Sequence, residues 1–293
     1  MYSIVIPSYN EELKIIKETV NKCSFVMNQH KLKHEIILID DGSITKVNFK
    51  FPSFKIIRHP HNAGYGRSIK SGILAAKFDS IIITDADGTY PIESIPTLIN
   101  SYTKNKFDMV VGARQGKHYD ESFKKKILRI ILKFLVEYTA GRNIPDINSG
   151  LRIFSKEKTL SYFNYLCDTF SFTTSLTLAF MMNGLFVEYI PIKYSIRHGK
   201  SKVHLLRDSL RTLQFIVEAM VFYNPIKVFL ALILSIIFLG STLLLFLIIS
   251  SSSSSIIYAI LFIILLLSII GFSFSLISIQ LKQILSKSKK YDE

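Results

Sequence analysis

Asp85 and Asp87 stand one residue apart directly after the apolar run Ile81-Ile82-Ile83-Thr84. Two carboxylates so spaced at a strand end can share a hard divalent cation with the phosphates of a substrate. Mg²⁺ takes one or two protein carboxylates and completes its shell with phosphate oxygens and water. When a diphosphate is the leaving group, such a cation (Mg²⁺ or Mn²⁺) neutralises the departing charge as a Lewis acid. Asp-x-Asp also arises in ordinary surface turns, so the pattern alone admits a polar turn as well. Asp40 and Asp41 follow Ile36-Ile37-Leu38-Ile39 in the same manner. A carboxylate there can accept hydrogen bonds from a base N–H or from ribose hydroxyls, and it too reads alternatively as a turn.

These clusters need elements to hold them. Short β-rich runs at residues 2–6, 35–39, 54–58, 80–84 and 109–111 alternate with helical patterns at 11–27, 66–78 and 91–104. Alternation of this kind predicts a mostly parallel α/β sheet covered by helices. Ligands of such sheets bind beyond the carboxyl ends of the strands. The polar clusters fall there: Pro7 to Glu12, Asp40 to Ser43, and Asp85 to Gly88.

Charge is unevenly placed. The formal net charge is +14 over 293 residues. Residues 114–142 hold eight basic and three acidic side chains, and residues 193–211 hold six and one, which together supply most of the excess. Concentrated positive charge implies an anionic partner: nucleic acid, lipid headgroups or a phosphorylated substrate. Across residues 122–138, Phe123, Ile127, Ile130, Ile131, Phe134 and Tyr138 follow helical spacing beside a basic stripe of Lys126, Arg129 and Lys133. Such a helix either lies in a membrane interface or turns its apolar face to a core. Residues 202–222 show a similar pattern, with Arg207 and Arg211 one turn apart.

Mean hydropathy is +0.32, and the apolar excess sits at the C-terminal end. No charged residue occurs from Val228 to Ile249 or from Ile256 to Leu281. About 20 apolar residues suffice to cross a hydrocarbon core as a helix, and soluble core helices are seldom apolar on every face. Six serines, Ser250 to Ser255, separate the two runs. So short a connection turns the second helix back antiparallel to the first. Lys227 precedes the first span, Lys282, Lys287, Lys289 and Lys290 follow the second, and the serine turn has no charge. The positive-inside rule then puts both ends in the cytoplasm. The chain opens on a strand-like run and shows no signal peptide. Cys23 and Cys167 have neither metal-site nor disulfide-framework spacing, which suits a reducing compartment.

Four motifs in order, Ile4-Val5-Ile6-Pro7-Ser8-Tyr9-Asn10-Glu11-Glu12, Ile39-Asp40-Asp41-Gly42-Ser43, Asn62-Ala63-Gly64-Tyr65-Gly66 and Thr84-Asp85-Ala86-Asp87-Gly88, resemble the inverting family 2 glycosyltransferases of GT-A fold. Gly112-Ala113-Arg114, the segment Asp146 to Arg152, and the segment Arg197 to Lys202 extend the resemblance toward dolichol-phosphate mannose synthases and bacterial polyprenyl-phosphate glycosyltransferases. The resemblance implies that Pro7, Tyr9 and Glu11 line a base and ribose pocket, with Asp40 and its neighbour Asp41 at the nucleotide. It implies that Asp85 and Asp87 hold metal and diphosphate, with Ala86 between them lining the nucleotide-sugar site. Phosphate contacts, to donor or lipid, are implied for Arg114 and Arg197, and secondarily for Arg129 and Lys202.

Asp146 falls where relatives place a candidate catalytic carboxylate, alongside Asp87. A lipid monophosphate has a second pKa of about 6 and is largely an oxyanion at neutral pH. Asp146 therefore acts as a base, positions the acceptor or holds an arginine. Relatives commonly read Asp-Ala-Asp-Leu-Gln where this chain has Gly88-Thr89. The Gln contact does not carry over, and a Thr89 hydroxyl replaces it in part. His118, His198 and His204 lie in polar, basic stretches without a second ligand at useful spacing, and read as solvated or phosphate-facing.

The expected organisation is a GT-A transferase domain over residues 1–205, an interfacial helix over 206–224, a transmembrane hairpin over 225–286 and a cytoplasmic tail over 287–293. The expected activity moves a sugar, with inversion, from a UDP- or GDP-linked donor to a polyprenyl phosphate. It would do so at the cytoplasmic face of a plasma, inner or ER-type membrane, and a homo-oligomer is compatible with it. Other readings are a transferase acting on another membrane lipid or lipid-linked saccharide, and a non-catalytic membrane adaptor that keeps the fold. A processive synthase is disfavoured, because the chain has no tryptophan for a Gln-x-x-Arg-Trp motif. A nucleic-acid partner is disfavoured because the basic segments flank the apolar spans.

Overall fold

The computed structural model describes residues 1–47, 49, 54–115, 123–195, 205–249 and 254–289. The chain divides into two units, Met1–Phe215 and Ile216–Glu293.

The first unit is built on a seven-stranded sheet of order β3-β2-β1-β4-β6-β5-β7. Its strands are β1 (Tyr2–Ser8), β2 (His34–Asp40), β3 (Phe54–Arg58), β4 (Ser80–Ile83), β5 (Met109–Gln115), β6 (Arg152–Ser155) and β7 (Val187–Lys193). Only β6 runs against the rest: it pairs antiparallel with both β4 and β5, while the other pairings are parallel. The expected mostly parallel sheet is therefore observed, with β1 between β2 and β4 and its carboxyl end next to theirs.

Alternation along each strand divides the core in two. Ile4 and Ile6, Ile36 and Leu38, and Ile82 pack on one face with α1 (Leu13–Gln29) and α3 (Ile95–Lys104). Val5, Ile37 and Ile39, and Ile81 and Ile83 pack on the other with α2 (Tyr65–Ala75) and α6 (Phe172–Met182). Burying each such side chain contributes about 1.5–3 kcal/mol. With both faces covered, the central strands read as continuous apolar runs.

Between β5 and β6 lies α4 (Phe123–Ala140), and α5 (Lys156–Leu160) follows β6. On α4, Val136 and Thr139 are buried, whereas Ile130, Ile131 and Phe134 are 59%, 50% and 64% exposed. Of the two alternatives for this amphipathic helix, the apolar trio faces outward. The helix α7 (Leu205–Tyr223) contains the boundary between the units.

The second unit pairs α8 (Pro225–Ile249) with α9 (Ser254–Lys289). Segments Pro225–Leu247 and Tyr258–Ser278 are long and apolar enough to cross a membrane. Gly240 of α8 lies against Ile264 of α9, and Gly271 of α9 lies against Ile233 of α8. Seven residues back along one helix match seven forward along the other, which is antiparallel packing.

Candidate active site

The ends of β1 and β2 are fastened to each other. The Asp41 amide donates to the Ser8 carbonyl at 2.8 Å. Asn10 takes a left-handed φ of 49°, which asparagine tolerates better than most residues. In that conformation its amide donates to Ser43 Oγ at 2.9 Å, and its Oδ1 accepts the Ile44 amide at 2.8 Å. Pro7 is buried within β1, and Tyr9 and Glu11 are half-buried just beyond it.

The two adjacent aspartates do different work. Asp40 Oδ1 accepts the Ser43 amide at 2.9 Å, and Oδ2 pairs with Arg58 Nη1 at the end of β3. Arg58 also donates through Nη2 to the Ser43 carbonyl at 2.6 Å. Asp41 organises the next loop: Oδ1 takes the Ala63 amide at 2.9 Å and faces His59 Nδ1 at 2.7 Å, while Oδ2 takes the Gly64 amide and the Asn62 side-chain amide, both at 2.9 Å. The quoted segment from Asn62 to Gly66 is thus tied to a buried carboxylate at the neighbouring strand end.

Asp85 and Asp87 follow β4, the former half-buried and the latter buried. Tyr65, at the start of α2, donates its hydroxyl to Asp85 Oδ1 at 2.9 Å and stacks on Phe170. Burial, and then the Asp85 charge, push the Tyr65 phenol well above its ordinary pKa, so it stays a proton donor. Gly150 faces the same carboxylate: a Cβ there would stand 2.8 Å from Asp85 Oδ1. Asp87 Oδ1 accepts the Thr89 amide at 3.1 Å and the Thr89 hydroxyl at 2.6 Å. The hydroxyls of Ser8 and Thr84, at the ends of β1 and β4, are buried without a protein partner among the described residues.

Across the site, Asp146 embraces Arg114 at the end of β5. Oδ2 accepts Arg114 Nε at 2.7 Å and the Arg114 amide at 3.0 Å, and Oδ1 accepts Nη2 at 2.9 Å. Burial alone would raise the Asp146 pKa, but the hydrogen bonds and charge of Arg114 outweigh it and hold the carboxyl below the usual aspartate range. The Arg114 guanidinium lies over the Tyr194 ring, 5.3 Å from its centroid. Tyr90 packs edge-on against Tyr194 and accepts the Gly150 amide at 2.6 Å.

The loop from Asp146 to Arg152 is anchored from beneath. The fully buried Arg152 donates to the Ser149 carbonyl through Nε and Nη2, and through Nη1 to the Thr173 carbonyl and Thr177 hydroxyl at 3.0 and 3.1 Å. Burial lowers its pKa.

Asp40, Asp41, Asp85, Ala86, Asp87, Arg114 and Asp146 thus lie on the strand ends and loops at one end of the sheet. Arg129 lies on α4 with its side chain outside the described residues. Arg197, Lys202, His118, His198 and His204 also lie outside them. Sequence reasoning assigned no role to Tyr65, Tyr90, Arg58, Gly150 or Tyr194. Tyr65 and Gly150 stood inside quoted motifs, so their positions were legible there; Tyr90, Arg58 and Tyr194 carry no local signal.

Among the described residues no three His, Cys, Asp or Glu side chains gather as a metal cluster. Asp85 and Asp87 nevertheless fit a cation shared with a diphosphate. They are two hard oxygen donors at one strand end, and because Gly150 has no Cβ the loop backbone closes on Asp85 without displacing it.

Residues 3–163 match the profile of glycosyl transferase family 2. Dolichyl-phosphate beta-glucosyltransferase of Saccharomyces cerevisiae is 27% identical over 71% of this chain and 71% of its own length. The Homo sapiens enzyme of that name is 26% identical over 56% of this chain and 57% of its own. Glucosyl-3-phosphoglycerate synthase from Mycobacterium tuberculosis, at 15% identity, covers 75% of this chain and 79% of that one. Its TM-score is 0.59 in the complex with phosphoglyceric acid and 0.56 in the complex with Mn²⁺, UDP and glucosyl-3-phosphoglycerate. The sheet order, the strand-end carboxylates and a match over more than half the chain lead to one assignment: this protein is a GT-A-fold glycosyltransferase and belongs to glycosyl transferase family 2.

Proposed function

We infer that this enzyme transfers a sugar, glucose first among the candidates, from a UDP-linked donor to a polyprenyl phosphate. The observation that carries the reading is a pair of carboxylates, Asp85 and Asp87, at the end of β4, in a chain that also holds two helices of membrane-crossing length. The names of the yeast and human relatives, and the UDP in the mycobacterial structure, point the same way.

In this reading residues 1–205 form the transferase domain, 206–224 an interfacial helix, 225–286 a membrane hairpin and 287–293 a cytoplasmic tail. Pro7, Tyr9, Glu11, Asp40 and Asp41 frame the nucleotide, the two aspartates acting through the loops they hold. Asp85 and Asp87 would hold Mg²⁺ or Mn²⁺, which would supply positive charge to neutralise the departing diphosphate. An acceptor phosphate oxygen, already ionised, attacks the anomeric carbon from the face opposite the diphosphate. The new C–O bond forms as the old one breaks, and configuration inverts. No proton need be removed, so Asp146 serves to aim Arg114 rather than to act as a base. Arg129, Arg197 and Lys202 supply further cationic contacts to lipid or donor phosphate.

The full chain, incubated with polyprenyl phosphate, Mg²⁺ or Mn²⁺ and a panel of UDP- and GDP-sugars, tests this by the masses of the lipid products. A glycosylated polyprenyl phosphate from a UDP-sugar is expected, lost in Asp85→Asn and Asp87→Asn. Transfer only to a neutral lipid, or full activity of both variants in chelator, sinks the proposal.

A further inference from the structure

Thr89 is fully buried and directs two donors at one oxygen of Asp87, its amide at 3.1 Å and its hydroxyl at 2.6 Å. An ionised carboxylate only accepts, so the single Thr89 hydroxyl proton is committed to Asp87. Both donors of Thr89 therefore converge on Asp87 Oδ1.

The backbone around Thr89 is fixed as well. The Thr89 carbonyl accepts the Ser195 amide at 3.1 Å, and the Tyr194 amide donates to the Gln115 carbonyl at 3.2 Å, so the end of β7 is stitched to the loop after β4 and to β5. The Tyr194 ring carries the Arg114 guanidinium on its face and Tyr90 against it edge-on, and Tyr90 accepts the Gly150 amide behind Asp85. The carboxylate pair and the Arg114–Asp146 pair therefore share one support.

We propose that Thr89 is a positioning residue for Asp87, and that its amide and hydroxyl set the orientation in which that carboxylate meets a divalent cation and a nucleoside diphosphate. Two donors on one oxygen fix the rotation of the carboxylate plane. A ligand that needs both Asp85 and Asp87 then finds the second already turned. Charge-assisted bonds of this kind are about twice as strong as neutral ones, which is why one hydroxyl suffices. This rests on the metal role inferred for Asp85 and Asp87, and the experiment separates the two.

The readout is UDP binding to the full detergent-solubilised chain as Mn²⁺ is titrated, with the split between kcat and KM alongside. Thr89→Val, nearly isosteric, should raise the Mn²⁺ concentration for half-maximal UDP binding by about tenfold, ~1.4 kcal/mol. Thr89→Ser should restore it to about twofold of wild type. A purely structural Thr89 would lower the melting temperature without moving the Mn²⁺ midpoint. If Asp87→Asn disturbs the Mn²⁺ dependence while Thr89→Val does not, the positioning role is overturned and the metal role stands. If Asp87→Asn leaves the dependence unchanged, the metal role itself is wrong and the positioning role goes with it.

Discussion

Gly150 and Asp85 stand so close that the glycine sets where the carboxylate can be: a Cβ at residue 150 would lie 2.8 Å from Asp85 Oδ1 and 3.1 Å from its Cγ. Gly150→Ala should therefore push Asp85 off its position rather than unfold the domain. A displacement near 1 Å at a reacting centre lowers turnover by about a hundredfold. Gly184→Ala is the matching control, because no atom lies within 4 Å of its Cβ position while its φ is +75°. That variant should lose about 1–2 kcal/mol of stability and keep its activity. Steady-state rates set beside melting curves distinguish the two.

The Asp146–Arg114 pair makes a prediction about pH. The folded pKa of Asp146 is lowered, so the stabilisation is present above the unfolded value of about 3.9 and is lost as pH falls through the lower folded value. Neither limb of the activity profile between about pH 5 and 9 should then belong to Asp146. With the Asp146 side chain 1% exposed and Arg114 15%, Asp146→Asn should cost about 3–5 kcal/mol in stability. Its pH limbs should stay where they are in the wild type. A limb that vanishes in this variant would restore Asp146 as a base.

The outward trio on α4 should matter only where there is a bilayer. Ile131→Ser with Phe134→Ser should leave the melting temperature unchanged, since both side chains are already exposed. Removing apolar area that would enter lipid costs about 1.5–3 kcal/mol per large side chain. Transfer to acceptor embedded in nanodiscs should thus fall at least tenfold, while transfer to a short-chain soluble acceptor stays near normal. Equal losses in both assays would argue for an ordinary structural face.

Topology can be read by labelling. A cysteine introduced at Ser252 should react with an impermeant reagent from outside the cell, and one at Ser288 should not. The native thiols give little background: Cys23 and Cys167 are both buried, and burial pushes the Cys23 thiol up to about 12. Reaction at Ser288 alone would invert the proposed orientation.

What the sequence disclosed follows the physics of each segment. Central strands such as Ile36-Ile37-Leu38-Ile39 announce themselves because both faces are buried, and Asp40 and Asp41 mark where the apolar run ends, although both are still buried. The two apolar spans are legible because lipid asks for one composition over a long window. The stretch from Arg152 to Lys193 was opaque. β6 opens on a fully buried arginine and runs against its neighbours, and ten of the eleven residues in α6 are buried, which removes the one-sided pattern that betrays a helix. The pairing of Asp146 with Arg114, 32 residues apart, follows from strand order and not from any local signal.

The opposed glycines of α8 and α9 carry a last consequence. Each helix presents one notch and one ridge: Gly240 receives Ile264, and Gly271 faces Ile233. In hydrocarbon the lipid tails are as apolar as the side chains, so close packing rather than water exclusion holds helices together. Sliding one helix by a single turn would set isoleucine against bulk on both sides at once. The hairpin therefore works as a keyed joint, with its vernier cut by two residues that have no side chain.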